Sequence, residues 1–106
     1  MYDPLPRRVL PRRRTALTFD LVHKNRIVTV TAGYFSTGEI GEVFLATGKG
    51  GSDLASLVRD AAITLSLALQ HGVKIETLQH AVLRDSRGEP LSLVGAVIDE
   101  LARVRS

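Results

Sequence analysis

Apolar and polar residues alternate along 15–22. Leu17, Phe19 and Leu21 fall on one side, and Ala16, Thr18, Asp20 and Val22 on the other. Period two with β-branched and aromatic residues predicts a strand. His23-Lys24-Asn25-Arg26 is a polar turn, and Asn25 tolerates the left-handed backbone region. Alternation resumes over 27–34, with Ile27, Thr29, Thr31 and Gly33 opposing Val28, Val30, Ala32 and Tyr34. The two segments together predict a β-hairpin. Ser36-Thr37-Gly38 and Gly41 punctuate a loop, and 42–47 (EVFLAT) predicts a third strand.

The period then changes. Gly48-Lys49-Gly50-Gly51-Ser52-Asp53 breaks the sheet, and Ser52 or Asp53 is the expected helix N-cap. Over 54–71, Leu54, Leu57/Val58, Ala61, Leu65 and Ala68/Leu69 recur at spacings of three and four, which predicts a helix. Ile63 and Leu67 add a second apolar face, so this helix is expected to be central and largely buried. Gly72 is its expected C′ residue. Ile75, Leu78 and Ala81/Val82 mark a second, shorter helix. A polar turn over 85–90 follows, and Ser92 caps a last helix with Leu93, Ala96/Val97, Leu101 and Val104 inward. Three strands followed by three helices imply an α+β fold, with the helices on one face of an antiparallel sheet.

Residues 1–14 stand apart. Three of the four prolines, Pro4, Pro6 and Pro11, lie there and disfavour both helix and sheet. This stretch reads as a disordered, solvated tail preceding a single domain over 15–106. It also carries the charge. The whole chain has net charge +3, of which the tail contributes +4 and the rest −1. The domain is nearly neutral, which does not support a globally basic nucleic-acid-binding face. The tail arginines, Arg7, Arg8, Arg12, Arg13 and Arg14, remain open to three readings. They aid solubility, they bind nucleic-acid phosphates by releasing counterions, or they dock an acidic protein surface. A base-stacking platform is not supported there, because Tyr2 is the tail's one aromatic.

At 106 residues the chain fits one domain. With no cysteine, disulfides, thiolate metal sites and thiol catalysis are excluded, and a reducing compartment such as the cytoplasm is expected. No apolar run approaches the roughly 18–20 residues that span a bilayer, and no secretory signal is expected. No membrane role is anticipated.

Few residues look chemical. In the turn Gly48–Ser52, written GKGGS, Lys49 with the backbone N–H groups of Gly50, Gly51 and Ser52 can cradle an anion such as a nucleotide phosphate. Glu42 is grouped with it as the nearest acidic residue of interest. A plain strand-to-helix turn needing positive φ accounts for the same glycines. Val43 stands where a Walker A loop needs its first glycine. His23, His71 and His80 form no metal-ligand spacing, so no metal and no cofactor is expected. Glu39 and Glu42 are paired carboxylates without an evident nucleophile.

The block 41–82, GEVFLATGKGGSDLASLVRDAAITLSLALQHGVKIETLQHAV, resembles the TSCPD-type segment in the C-terminal region of adenosylcobalamin-dependent (class II) ribonucleotide reductases. In that family a Gly-Glu-[Val/Ile]-Phe strand leads through a small-residue turn to a helix. The helix ends in Ser-Leu-[Ala/Gly]-Leu-Gln-x-Gly-Val, and a second helix follows. Here the matching residues are Gly41, Glu42, Phe44, Lys49, Gly51, Ser66, Leu67, Leu69, Gln70, Gly72 and Val73. The similarity extends more loosely over 16–104.

The resemblance implies the fold more strongly than any chemistry. The radical cysteine, its partner cysteines and the catalytic barrel of the reductases lie outside this segment, and the cysteines behind part of the domain's name are missing. What it implies is an accessory or interaction module, not catalytic on its own, of bacterial type and linked by ancestry to deoxyribonucleotide synthesis. Its expected partner is a ribonucleotide reductase or another protein, with nucleic acid through the tail as the alternative. Open sheet edges and a helix apolar on two faces also point to a homodimer.

Overall fold

The computed structural model describes residues 6–48 and 53–104. Three strands are followed by three helices: β1 (Ala16–His23), β2 (Arg26–Tyr34), β3 (Ile40–Thr47), α1 (Asp53–Gln70), α2 (Ile75–Ala81) and α3 (Leu93–Val104). The strands form one antiparallel sheet in the order β1-β2-β3, so the fold is α+β as the pattern of periods implies.

The hairpin turn is Lys24-Asn25, both at positive φ, 49° and 66°. This two-residue geometry follows the right-handed twist of the flanking strands. It pairs His23 with Arg26 and sets the register back to Ala16 opposite Gly33. The register sends Val28, Val30 and Ala32 inward, all fully buried, beside Val43 and Leu45 of β3. Leu65 and Leu69 of α1, Ile75 of α2, and Val97 and Leu101 of α3 complete the core.

β3 begins two residues earlier than the sequence pattern predicts. Gly33 pairs with Glu42 and Tyr34 with Ile40, so Gly41 is an extra residue in β3, a β-bulge. The pause in alternation at Gly41, read from sequence as loop, is this bulge. A side chain there would collide with the Phe35 ring and with Leu10.

The helix ends follow their sequence signals. Gly72 takes φ +94° and donates its N–H to Leu69, while the Val73 N–H reaches back to Ala68, which closes a Schellman motif. Ser92 caps α3, its hydroxyl accepting the Gly95 N–H at 2.9 Å. The N-cap position of α1 lies outside the described residues.

α1 differs from expectation in its place. It lies along the open edge of β3 rather than at the centre. Val58, Ala62, Leu65 and Leu69 face the core, whereas Ile63 is 59% exposed and Leu67 39%. A helix on a sheet edge covers one of its faces, so the second apolar face stays in solvent.

The hydrogen bonds explain why the helix stays at that edge. The Ser66 hydroxyl accepts the Val43 N–H at 2.8 Å and donates to the Val43 carbonyl at 3.1 Å. One turn later, Gln70 Nε2 donates to the Gly41 carbonyl at 2.8 Å. Four helical residues rise about 6 Å, and two strand residues about 6.6 Å. The spacings match, so two polar side chains one turn apart serve alternate residues of the edge strand. They take the place of a fourth strand and block edge-to-edge pairing there.

Candidate interaction site

Of the candidate anion site, Lys49, Gly50, Gly51 and Ser52 lie outside the described residues. Gly48 is exposed at the end of β3. Glu42 is at the other end of that strand, roughly 20 Å away at about 3.3 Å per residue. Its side chain covers Gly33, and its carboxylate is paired with Arg14. Glu42 therefore lies far along β3 from Gly48, the one described residue of that turn.

The tail arginines separate into two groups. Residues 6–14 form no helix or strand, yet several bind the domain. Arg7 Nε donates to Gln70 Oε1 at 2.5 Å, and the Arg8 N–H donates to the Gln70 carbonyl at 2.7 Å. The Arg8 guanidinium lies over the Phe35 ring, 3.8 Å from its centroid, and reaches Glu39 at 3.2 Å. Leu10 lies close against Gly41. Arg14 holds Glu42 and donates to the Pro11 carbonyl at 2.7 Å. Arg12 and Arg13 are exposed. Three of the five arginines are thus engaged in bracing the bulge of β3.

Gln70 is the hinge of this brace. It is a buried polar side chain, and its amide is used at both ends, by Arg7 on the oxygen and Gly41 on the nitrogen. Leaving either end unpaired in the interior would cost about 1–3 kcal/mol.

Glu39 and Glu42 are each held by their own arginine, Arg8 and Arg14. The Thr37 hydroxyl, and then Arg8, keep the Glu39 carboxyl below its ordinary range. His23 is half-buried, and His71 and His80 are exposed. Among the described residues no group of three or more His, Cys, Asp or Glu could hold a metal ion. Arg84 and Asp99 form a two-pronged ion pair at 2.7 and 2.9 Å, and Arg84 also donates to the Gln79 and Gly88 carbonyls. This pair ties the turn after α2 to α3.

One concave surface beside α1 was not singled out from the sequence as a site. α1 stands beside the outward face of the sheet, and the angle between them forms a groove of about 720 Å³. Phe44 (57% exposed), Ala46, Ile63 and Leu67 supply its apolar surface. Thr29 and Thr31 add hydroxyls. Arg7 and Arg59 line it as cations, and Glu42, its one lining carboxylate among the described residues, is already paired with Arg14. Among the described residues Arg59 forms no ion pair. The signal for this groove was present in the sequence as the Ile63 and Leu67 face, but period alone does not say whether a second face is covered.

Comparison with known proteins agrees with the fold. The TSCPD domain matches residues 2–104. The chain belongs to the TSCPD domain family. A TSCPD assignment covering the N-terminal segment accords with its docking on the bulge. The relatives include the vitamin B12-dependent ribonucleotide reductase of Agrobacterium fabrum, 33% identical over 88 residues, which is 83% of this chain and 7% of that protein. The enzyme of the same name from Bradyrhizobium diazoefficiens is 34% identical over 70 residues, 66% of this chain and 6% of that protein. That of Streptantibioticus cattleyicolor is 36% identical over 76 residues, 72% of this chain and 12% of that protein. The chain thus spans a small fraction of the reductases it matches. No solved structure matches it.

The TSCPD motif residues can now be placed. Gly41 is the bulge, Ser66 and Gln70 clamp the edge strand, Leu69 is in the core, and Gly72 and Val73 close α1. These motif residues build the domain. Phe44 and Leu67 are exposed motif residues that line the groove, while Val73, also exposed, lies at the end of α1 outside it.

Proposed function

We propose that this TSCPD domain is an interaction module that acts without catalysing a reaction itself, in the cytoplasm, as an accessory to ribonucleotide reduction and so to deoxyribonucleotide synthesis. The observation that carries this reading is the division of labour among its motif residues. Ser66, Gln70, Gly41 and Gly72 are consumed in holding the fold, while the motif residues Phe44 and Leu67 present an apolar, concave face to solvent. Exposed apolar patches in concave settings mark binding surfaces. The likeness to vitamin B12-dependent ribonucleotide reductases supports the link to that chemistry. A reductase, or another protein of nucleotide metabolism, is the partner this reading favours.

Affinity purification of the full chain from its native cell, with and without nuclease, tests it. A protein of nucleotide metabolism retained after nuclease is the expected result. Partners that vanish with nuclease would favour a nucleic-acid-associated protein, with Arg12 and Arg13 as its exposed contacts. Turnover of a ribonucleotide by the isolated chain would overturn the non-catalytic reading outright.

A further inference from the structure

The groove between α1 and the outward face of the sheet has a charge pattern as well as an apolar floor. Arg7 is fixed at one end by its bond to Gln70. Arg59 lies eleven residues earlier on α1, a separation of roughly 16 Å along the helix axis. Phe44, Ile63 and Leu67 line the same groove. Glu42, the one lining carboxylate among the described residues, is paired with Arg14. The groove therefore presents cation, apolar stretch, cation over about three helical turns.

We propose that this groove receives a short amphipathic segment of a partner protein, helical when bound, with two or three apolar residues on one face and an acidic residue near each end. This rests on the interaction-module reading and names the chemistry of the partner. Apolar anchors at helical spacing would fill the space beside Phe44, Ile63 and Leu67, which is the usual way a helix lies in a groove. The flanking acids would meet Arg7 and Arg59, which sets register and direction. A second copy of this chain fits less well. Two-fold packing of groove on groove would bring the Arg59 end of one copy against the Arg7 end of the other, and like charges would meet.

The test is selection of random 14-residue peptides displayed against the full-length chain, repeated with Phe44→Ser and Arg59→Glu. Both side chains are exposed, and thermal melts verify that the variants fold. The expected winners carry apolar residues at spacings of three and four between acidic ends. Phe44→Ser should abolish their binding. Arg59→Glu should weaken them roughly tenfold or more and select lysine or arginine at one end instead. Winners without acidic ends, or winners whose binding neither variant changes, would overturn the proposal. So would a concentration-dependent dimer in sedimentation velocity that Phe44→Ser disperses, since the groove's occupant would then be a second copy. Peptides that bind elsewhere on the chain would sink the groove while leaving the interaction reading intact. That reading fails separately, if no protein partner survives nuclease treatment.

Discussion

The Ser66 hydroxyl satisfies both backbone groups of Val43, accepting its N–H at 2.8 Å and donating to its carbonyl at 3.1 Å. One side chain thus does the work of a neighbouring strand at this point of the sheet edge. Ser66→Ala would leave both groups unpaired in a part-buried setting. The expected loss of stability is about 2 kcal/mol, read from chemical denaturation. The Val43 amide should also exchange faster with solvent while distant core amides do not. Unchanged stability would mean that water replaces the hydroxyl without cost.

Gly41 is required for a different reason. It is a bulge residue pressed between Phe35 and Leu10, with no room for a side chain. Gly41→Ala should destabilise by about 1–3 kcal/mol, the usual cost of overpacking. It should also loosen the N-terminal segment that Leu10 anchors. Limited trypsin digestion should then cut at Arg12, Arg13 and Arg14 sooner than in the unmodified chain.

Arg84 and Asp99 make a pH-dependent contribution. The hydrogen bonds from Arg84, foremost among the causes, hold the Asp99 carboxyl below its ordinary value of 3.8. Because the folded value is the lower one, the stabilisation is present above the ordinary value and is lost as pH falls through the folded value. Stability should therefore begin to decline near pH 4 and continue downward, with Glu39, lowered in the same direction, adding a little. The pair is about a quarter exposed, at 27% and 26%, so the effect is modest. Asp99→Asn should lower stability at neutral pH and flatten this acid decline, as measured by urea melts at several pH values.

The hairpin turn carries two non-glycine residues at positive φ, Lys24 and Asn25. Glycine is favoured at the second position of such a turn. Asn25→Gly should raise stability by about 0.5–1 kcal/mol without moving the register. A loss of stability would show that the Asn25 side chain does more at the turn than tolerate its geometry.

Much of this fold was legible because its rules are local. The alternation of Val28, Val30 and Ala32 against Thr29 and Thr31 set the inward face of β2, and Gly72 and Ser92 marked helix ends through their own backbone geometry. What stayed hidden depended on distant partners. Gly41 looked like loop because a bulge is defined by the strand opposite. Arg7, Arg8 and Arg14 read as solvated charge because nothing local foretells Gln70, Phe35, Glu39 and Glu42 as their partners. The face carrying Ile63 and Leu67 looked buried because periodicity records apolar positions and not what lies against them. The groove follows from that same fact. It exists because α1 is held at the sheet edge by Ser66 and Gln70 rather than lying across the sheet.

The most direct test of the account is to compare the full chain with its Phe44→Ser variant in affinity purification from the native cell after nuclease treatment. The account predicts equal folding of the two proteins, a protein partner retained by the unmodified chain, and its loss from the variant. Equal recovery of that partner by both would contradict the claim that this groove is where the domain meets its partner.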